Sequence, residues 1–243
     1  MPHFRTLTPL ALLFIMITPA AFAGHRNENL YYVNPKLASG SDAIHSVCVV
    51  PGEMQLTKVG MKGKEGMAKE SEDWANALQN IVETHLKAAQ VEVVSSNISP
   101  DQLDANPDAQ QLVLQVQKSY DSVATQLEKH PKDIKKDRFT LGDEVAILPC
   151  SAKSDALVFF HAEGELLTSG KKAFSLLVAT NAEEANLRLS FVDAKTGEVL
   201  ALIRIQREGN RFEKNPEKAY GKALDRELKK IKVGEFTAVP KKK

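Results

Sequence analysis

Several kinds of chemistry are missing from this sequence. Its 243 residues hold two cysteines, Cys48 and Cys150, and no C-x-x-C, which argues against thiol exchange and structural zinc. Gly60, Gly63 and Gly66 recur every third residue among Lys58, Lys62 and Lys64. That spacing meets neither the P-loop pattern nor the dinucleotide fingerprint, so backbone amides are not set to converge on a phosphate. There is no G-x-S-x-G elbow for a serine nucleophile and no H-E-x-x-H for a metal. Aromatic residues make up 6%, and the lone Trp74 falls on a helical apolar stripe, so no stacking platform for sugars or bases is offered. No internal repeat occurs.

Net charge is also nearly absent. Arg5 is the only charged side chain in residues 1–23, and without it the 32 Lys plus Arg fall level with the 31 Asp plus Glu. Such a balance implies no nucleic-acid partner. The charge is unevenly placed, with twelve basic and six acidic residues between Arg207 and Lys243. A basic tail of this kind can touch an anionic surface, or it can be a solvated helix whose lysines favour its negative C-terminal end.

What is present begins with an export signal. Arg5, the apolar run Leu10 to Thr18 and the ending Ala21-Phe22-Ala23 read as a cleaved leader over 1–23, too short to span a membrane. No cysteine follows the cleavage site, so no lipid anchor is expected, and a periplasmic or secreted location follows for a bacterial source. About 220 residues then remain, enough for one sizeable core. In an exported chain Cys48 and Cys150 read as a disulfide closing a loop of about a hundred residues, worth some 4 kcal/mol by loop entropy. Two buried free thiols are the other reading.

Along the chain, 24–42 is polar and without period and reads as a flexible leader; 43–234 reads as one α/β domain, and 235–243 as a basic tail. Ile44 to Val50 makes a first strand. The stretch with Lys58, Lys62 and Lys64 is a mobile loop or an edge hairpin. A helix from Ser71 to Ala89, capped by Ser71, lays Trp74, Ala77, Leu78, Ile81, Val82, His85 and Leu86 on one stripe. Val91 to Val94 follows as a strand parallel to the first. Asn106-Pro107-Asp108 opens a second helix with Leu112, Val113, Val116, Tyr120, Val123 and Leu127 facing inward, ended by His130-Pro131. Thr140 to Leu148 reads as a short helix with Thr140 and Asp143 as a partial capping box. Ala156 to Glu165, apolar on both faces in its first half, belongs in mid-sheet. Phe174 to Ala179 is a further strand, and Asn181 to Asn186 a polar loop. Leu187 to Ile205 then forms an antiparallel hairpin turning at Asp193 to Gly197 with a bulge. The last helix opens at Asn215-Pro216-Glu217 and buries Tyr220, Ala223, Leu224, Leu228 and Ile231, with Gly234 as its stop. The expected fold is a mixed sheet of about five strands covered by three to four helices.

This order of elements, with Asp155-Ala156-Leu157-Val158-Phe159 feeding a strand and Val192-Asp193-Ala194-Lys195-Thr196-Gly197-Glu198-Val199-Leu200 making the hairpin, resembles a group of bacterial envelope domains. The group includes the amino-terminal domain of TolB and the periplasmic domains of CsgG-like and LpoB-like lipoproteins. The likeness runs from about Ala43 to Ile231. It implies a non-enzymatic adaptor or assembly module with no catalytic residues and no cofactor. This chain departs from the group in having no lipid-anchor cysteine, no propeller after the domain and no pore-forming hairpins.

Two surfaces stand out as candidates for contact with an envelope protein partner: the loop bearing Lys58, Lys62 and Lys64, and the polar end of the third strand. There His161, Glu163 and Glu165 alternate and project in parallel, a spacing that also suits a divalent metal. A metal-dependent hydrolase built on those three residues is the enzymatic alternative; a small-ligand carrier is another. His85 on its buried stripe reads as a packed, hydrogen-bonded histidine. His45 and Cys48 point to opposite faces of their strand and make no nucleophile pair.

Overall fold

The computed structural model describes residues 31–39, 43–96, 107–129, 139–172, 183–208, 215–231 and 233. Their elements run β1 (Tyr31–Val33), α1 (Pro35–Ser39), β2 (Ser46–Val49), β3 (Glu53–Gly60), β4 (Gly63–Gly66), α2 (Ala68–Ala88), β5 (Glu92–Val94), α3 (Pro107–Lys129), two 3-10 turns (Asp143–Ile147 and Ser151–Lys153), β6 (Ala156–Leu167), β7 (Glu184–Asp193), β8 (Val199–Glu208) and α4 (Pro216–Lys230). All eight strands join one mixed sheet in the order β1-β8-β7-β6-β2-β5, with β3 on β6 and β4 on β3.

The burial pattern of β6 organises the rest. Ala156 through Phe160 are all buried, so this half of the strand is covered on both faces, and from His161 onward the pattern alternates. One face packs under α1, α2 and α4, with Val47, Val49, Met54, Leu56, Val158, Phe160, Leu187, Leu189 and Phe191 pointing into it. The other face packs under α3 and the 3-10 segment through Cys48, Val50, Leu157, Phe159, Val192 and Leu202. Tyr120 of α3 stacks on Phe159 with ring centroids 5.1 Å apart, worth about 1 kcal/mol beyond the area it buries.

Along one edge β6 pairs with β7 throughout; along the other it pairs first with β2 and then with β3, both parallel. Val49 lies opposite Val158, and Glu53 opposite His161, so Val50, Pro51 and Gly52 span the two residues Phe159 and Phe160. This extra residue is a bulge that bends one long strand into two. Gly52 sits against β6 so closely that a Cβ there would lie 2.4 Å from the Phe160 carbonyl oxygen.

The bridge between Cys48 and Cys150 is formed, with Cα atoms 6.0 Å apart, and ties the 3-10 segment to β2. Asp155 fastens β6 beside β2, its Oδ2 accepting from the backbone N–H groups of His45 at 3.0 Å and Ser46 at 2.9 Å. β2 and β5 pair in parallel, with α2 between them in the chain. At the β7–β8 turn, Asp193 Oδ1 accepts from Lys195 and Thr196, Gly197 has φ +69°, and the register shifts between Phe191 and Val192.

The structure departs from the sequence expectation in several places. The mixed α/β sheet and its antiparallel hairpin are as expected, with eight strands among the described residues against about five. Within 24–42, which read as a flexible leader, Tyr31–Val33 is a strand paired with β8, and Asn34 and Lys36 both bond Glu198. Three residues are too few to show a period. The first long helix begins at Ala68, and Ser71 is no cap: its Oγ donates to the Met67 carbonyl and accepts from Leu56 N–H, so the hydroxyl ties the helix to β3. Thr140 to Leu148 holds a single 3-10 turn, Asp143–Ile147, with no side-chain cap; Thr140 instead bridges to Glu198 and accepts from Gly142 N–H. Glu184, Ala185 and Asn186, expected in a loop, extend β7. The proposed strand Phe174 to Ala179, the stop at Gly234, the signal 1–23 and the tail 235–243 lie outside the described residues.

Candidate functional site

Beyond the bend at Gly52, β3 leaves the core and turns back as β4. Met61 and Lys62 form a two-residue loop between the paired Gly60 and Gly63, so the glycine-rich stretch is an edge hairpin. Every residue from Met61 to Gly66 is exposed, and Met61 at the tip is 66% accessible. Among the described residues β4 pairs with β3 alone.

The hairpin does not gather its three lysines onto one face. Lys58 lies opposite Glu65, and Lys64 opposite Val59, so strand alternation sends Lys58 and Lys64 to opposite sides while Lys62 sits in the turn. Together with Glu65 and Thr168 these residues border an open concavity of about 340 Å³.

The polar sheet face lies beside it. Thr57 of β3 is in register with Glu165, Gln55 with Glu163, and Glu53 with His161. On the far side of β6, Glu184, Asn186 and Arg188 occupy the same three rows. Within this lattice His161 Nε2 stands 3.1 Å from Glu163 Oε1, and Arg188 Nη2 stands 3.9 Å from the same oxygen. Glu165 turns away from that pair and forms an ion pair with Lys64 of the hairpin. Both members are well exposed, so the pair positions the hairpin against β6 more than it stabilises the fold, contributing about 0–1 kcal/mol. The two candidate surfaces therefore meet at one contact, Lys64 with Glu165.

His161 and Glu163 are thus brought together, whereas Glu165 is engaged elsewhere. Among the described residues no three His, Cys, Asp or Glu side chains form a group that would hold a metal ion. Sequence reasoning did not include Arg188, Glu53 or Gln55 in this face; the signal that finds them is strand register, which a single sequence carries only once the bulge at Gly52 is located. It also passed over Met61, whose exposure follows from its place between paired glycines. Among the described residues no helix is long and apolar enough to cross a membrane.

No protein-family model matches this chain. No curated protein matches it either. Among solved structures it is similar to the PelC dodecamer from Paraburkholderia phytofirmans, at 12% sequence identity and a TM-score of 0.41, covering 85% of this chain and 98% of that one. A single-substitution form of the same PelC dodecamer is similar at 11% identity and a TM-score of 0.40, covering 84% of this chain and 97% of that one.

Proposed function

We propose that this chain is an exported, non-enzymatic binding or assembly module of the bacterial cell envelope, and that the β3–β4 hairpin is its contact surface for a protein partner. The observation that carries the reading is the hairpin itself. Among the described residues β4 is paired on one side only, and such an edge with an exposed methionine at its tip is a combination that folded proteins otherwise cover or suppress. Lysines beside such an edge prevent indiscriminate pairing and leave selection to a partner of complementary charge. The formed Cys48–Cys150 bridge supports an oxidising compartment, as export requires. The resemblance of residues 43–231 to envelope adaptor domains supports the absence of a catalytic role.

The test is a triple charge reversal, Lys58→Glu, Lys62→Glu and Lys64→Glu, read by partner capture from envelopes under gentle crosslinking. All three side chains lie on the exposed hairpin, so the replacements at Lys58 and Lys62 change stability by no more than about 0.5 kcal/mol and that at Lys64, which loses its ion pair with Glu165, by about 1 kcal/mol, while capture falls at least about tenfold. Undiminished capture by the folded variant makes the lysines edge protection and removes them from the contact.

A further inference from the structure

The two long helices on one face of the sheet, α2 and α4, are joined at His85 by a pair of polar contacts whose geometry depends on a proton. His85 of α2 is nearly enclosed, its side chain 11% exposed. Its Nδ1 stands 2.6 Å from Asp225 Oδ1 and its Nε2 stands 2.9 Å from Glu217 Oε1, both from α4. A neutral imidazole carries one N–H, so with both carboxylates ionised one ring nitrogen would face an oxygen across less than 3 Å with no hydrogen between them. Only the imidazolium satisfies both contacts.

The α4 side is shaped for such a cation. Glu217, Gly221 and Asp225 follow one another at four-residue spacing and so line one stripe of the helix. The central position lies directly beneath the contact: a Cβ on Gly221 would lie 2.5 Å from Glu217 Oε1 and 2.8 Å from His85 Nε2, so a side chain there would displace the two from each other. On α2, Glu83 and Lys87 pair with each other at 3.6 Å. From β8, Arg207 donates to the Ala219 carbonyl at 2.6 Å. Lys218, Lys222 and Lys229 of α4 are exposed.

We infer that His85 is a proton-operated latch, closed by the doubly protonated ring gripping α4 through Glu217 and Asp225 and released when one ring proton passes to solvent. Burial by itself favours the neutral ring, but the hydrogen bonds and negative charges of Asp225 and Glu217 outweigh it and raise the His85 pKa above its ordinary value. The sign follows: the latch contributes its full stability below the unfolded-state value near 6.5 and loses it as pH rises through the higher folded-state value. In an exported protein the surrounding medium sets that proton directly, and α4 loosens from α2 on the alkaline side.

The experiment uses the whole mature chain and measures amide hydrogen exchange across α4, normalised to α3 and to intrinsic rates, while the His85 ring resonance is followed by NMR over the same pH series. The latch predicts that α4 opening rises with the ring titration, about tenfold for each pH unit by which the folded His85 pKa exceeds the unfolded one. His85→Gln should flatten the profile. A second variant, Glu217→Gln with Asp225→Asn, keeps the histidine and should move its titration to lower pH. An α4 profile that is flat in the wild-type chain, or the same in His85→Gln, or a ring titration unmoved in the double variant, overturns the latch.

Discussion

Opening the Cys48–Cys150 bridge is the perturbation whose size the structure fixes best. The two cysteines are 102 residues apart and both are buried, one in β2 and one beside the 3-10 turns that pack on the same face of the sheet. Joining such distant points removes loop entropy from the unfolded chain, and the loop-length relation gives about 4.7 kcal/mol at 25 °C. Leu141, Val145 and Leu148 lie in one buried cluster with Val50, Leu157 and Val192, so the native packing is expected to survive reduction of the bridge. Urea unfolding of the oxidised protein and of the same protein held reduced isolates the crosslink from any loss of side chain. With a urea slope of about 2–3 kcal/mol/M for a domain of this size, the midpoint should fall by about 1.5–2.5 M. The Cys48→Ala, Cys150→Ala protein should fall at least as far. A shift under about 0.5 M would refute the reasoning, since the unfolded chain would then gain little freedom when the bridge opens.

Two further perturbations test the frame. Gly52→Ala forces a Cβ against the Phe160 carbonyl of β6, a strand locked between β7 and β3, so it should cost about 3 kcal/mol in urea-derived stability; a cost below about 0.5 kcal/mol would mean the bulge is loose. Burial would raise the Asp155 carboxyl, but the N–H groups of His45 and Ser46 and the Ser46 hydroxyl outweigh it and hold its pKa below the ordinary value. Its contribution is therefore present above the unfolded-state value of about 3.9 and lost as pH falls through the lower folded-state value. Asp155→Asn should cost about 1 kcal/mol at pH 7, discounted for an exposed side chain, and the gap from wild type should close in acid; a gap independent of pH would contradict the assignment.

Much of the frame was legible because its signals are local. The apolar run Ala156 to Phe160 announced a strand covered on both faces, and the Asp193 to Gly197 turn announced its hairpin, with Gly197 at positive φ. Asn215 and Pro216 marked the start of α4, where Asn215 Oδ1 accepts from Lys218 N–H. What escaped depends on distant partners. Tyr31–Val33 becomes a strand only because β8 offers an edge, and Ser71 looked like a cap because its other partner, Leu56 N–H, lies in a different element. The candidate surfaces divided in the same way. The stripe that buried His85 was readable, but the two carboxylates that grip it sit 132 and 140 residues away. The parallel projection of His161 and Glu163 was readable, whereas the pairing of Glu165 with Lys64 required knowing that β3 lies beside β6.

The central claim is that the β3–β4 hairpin is where a protein partner binds. The most direct measurement places a photoreactive residue at Lys62 in the hairpin turn and, separately, at Glu92 on the exposed edge strand β5, and compares the adducts formed in intact envelopes. The account predicts one discrete protein adduct from position 62 that is absent from position 92. No adduct at 62, or the same adducts from both positions, would contradict it.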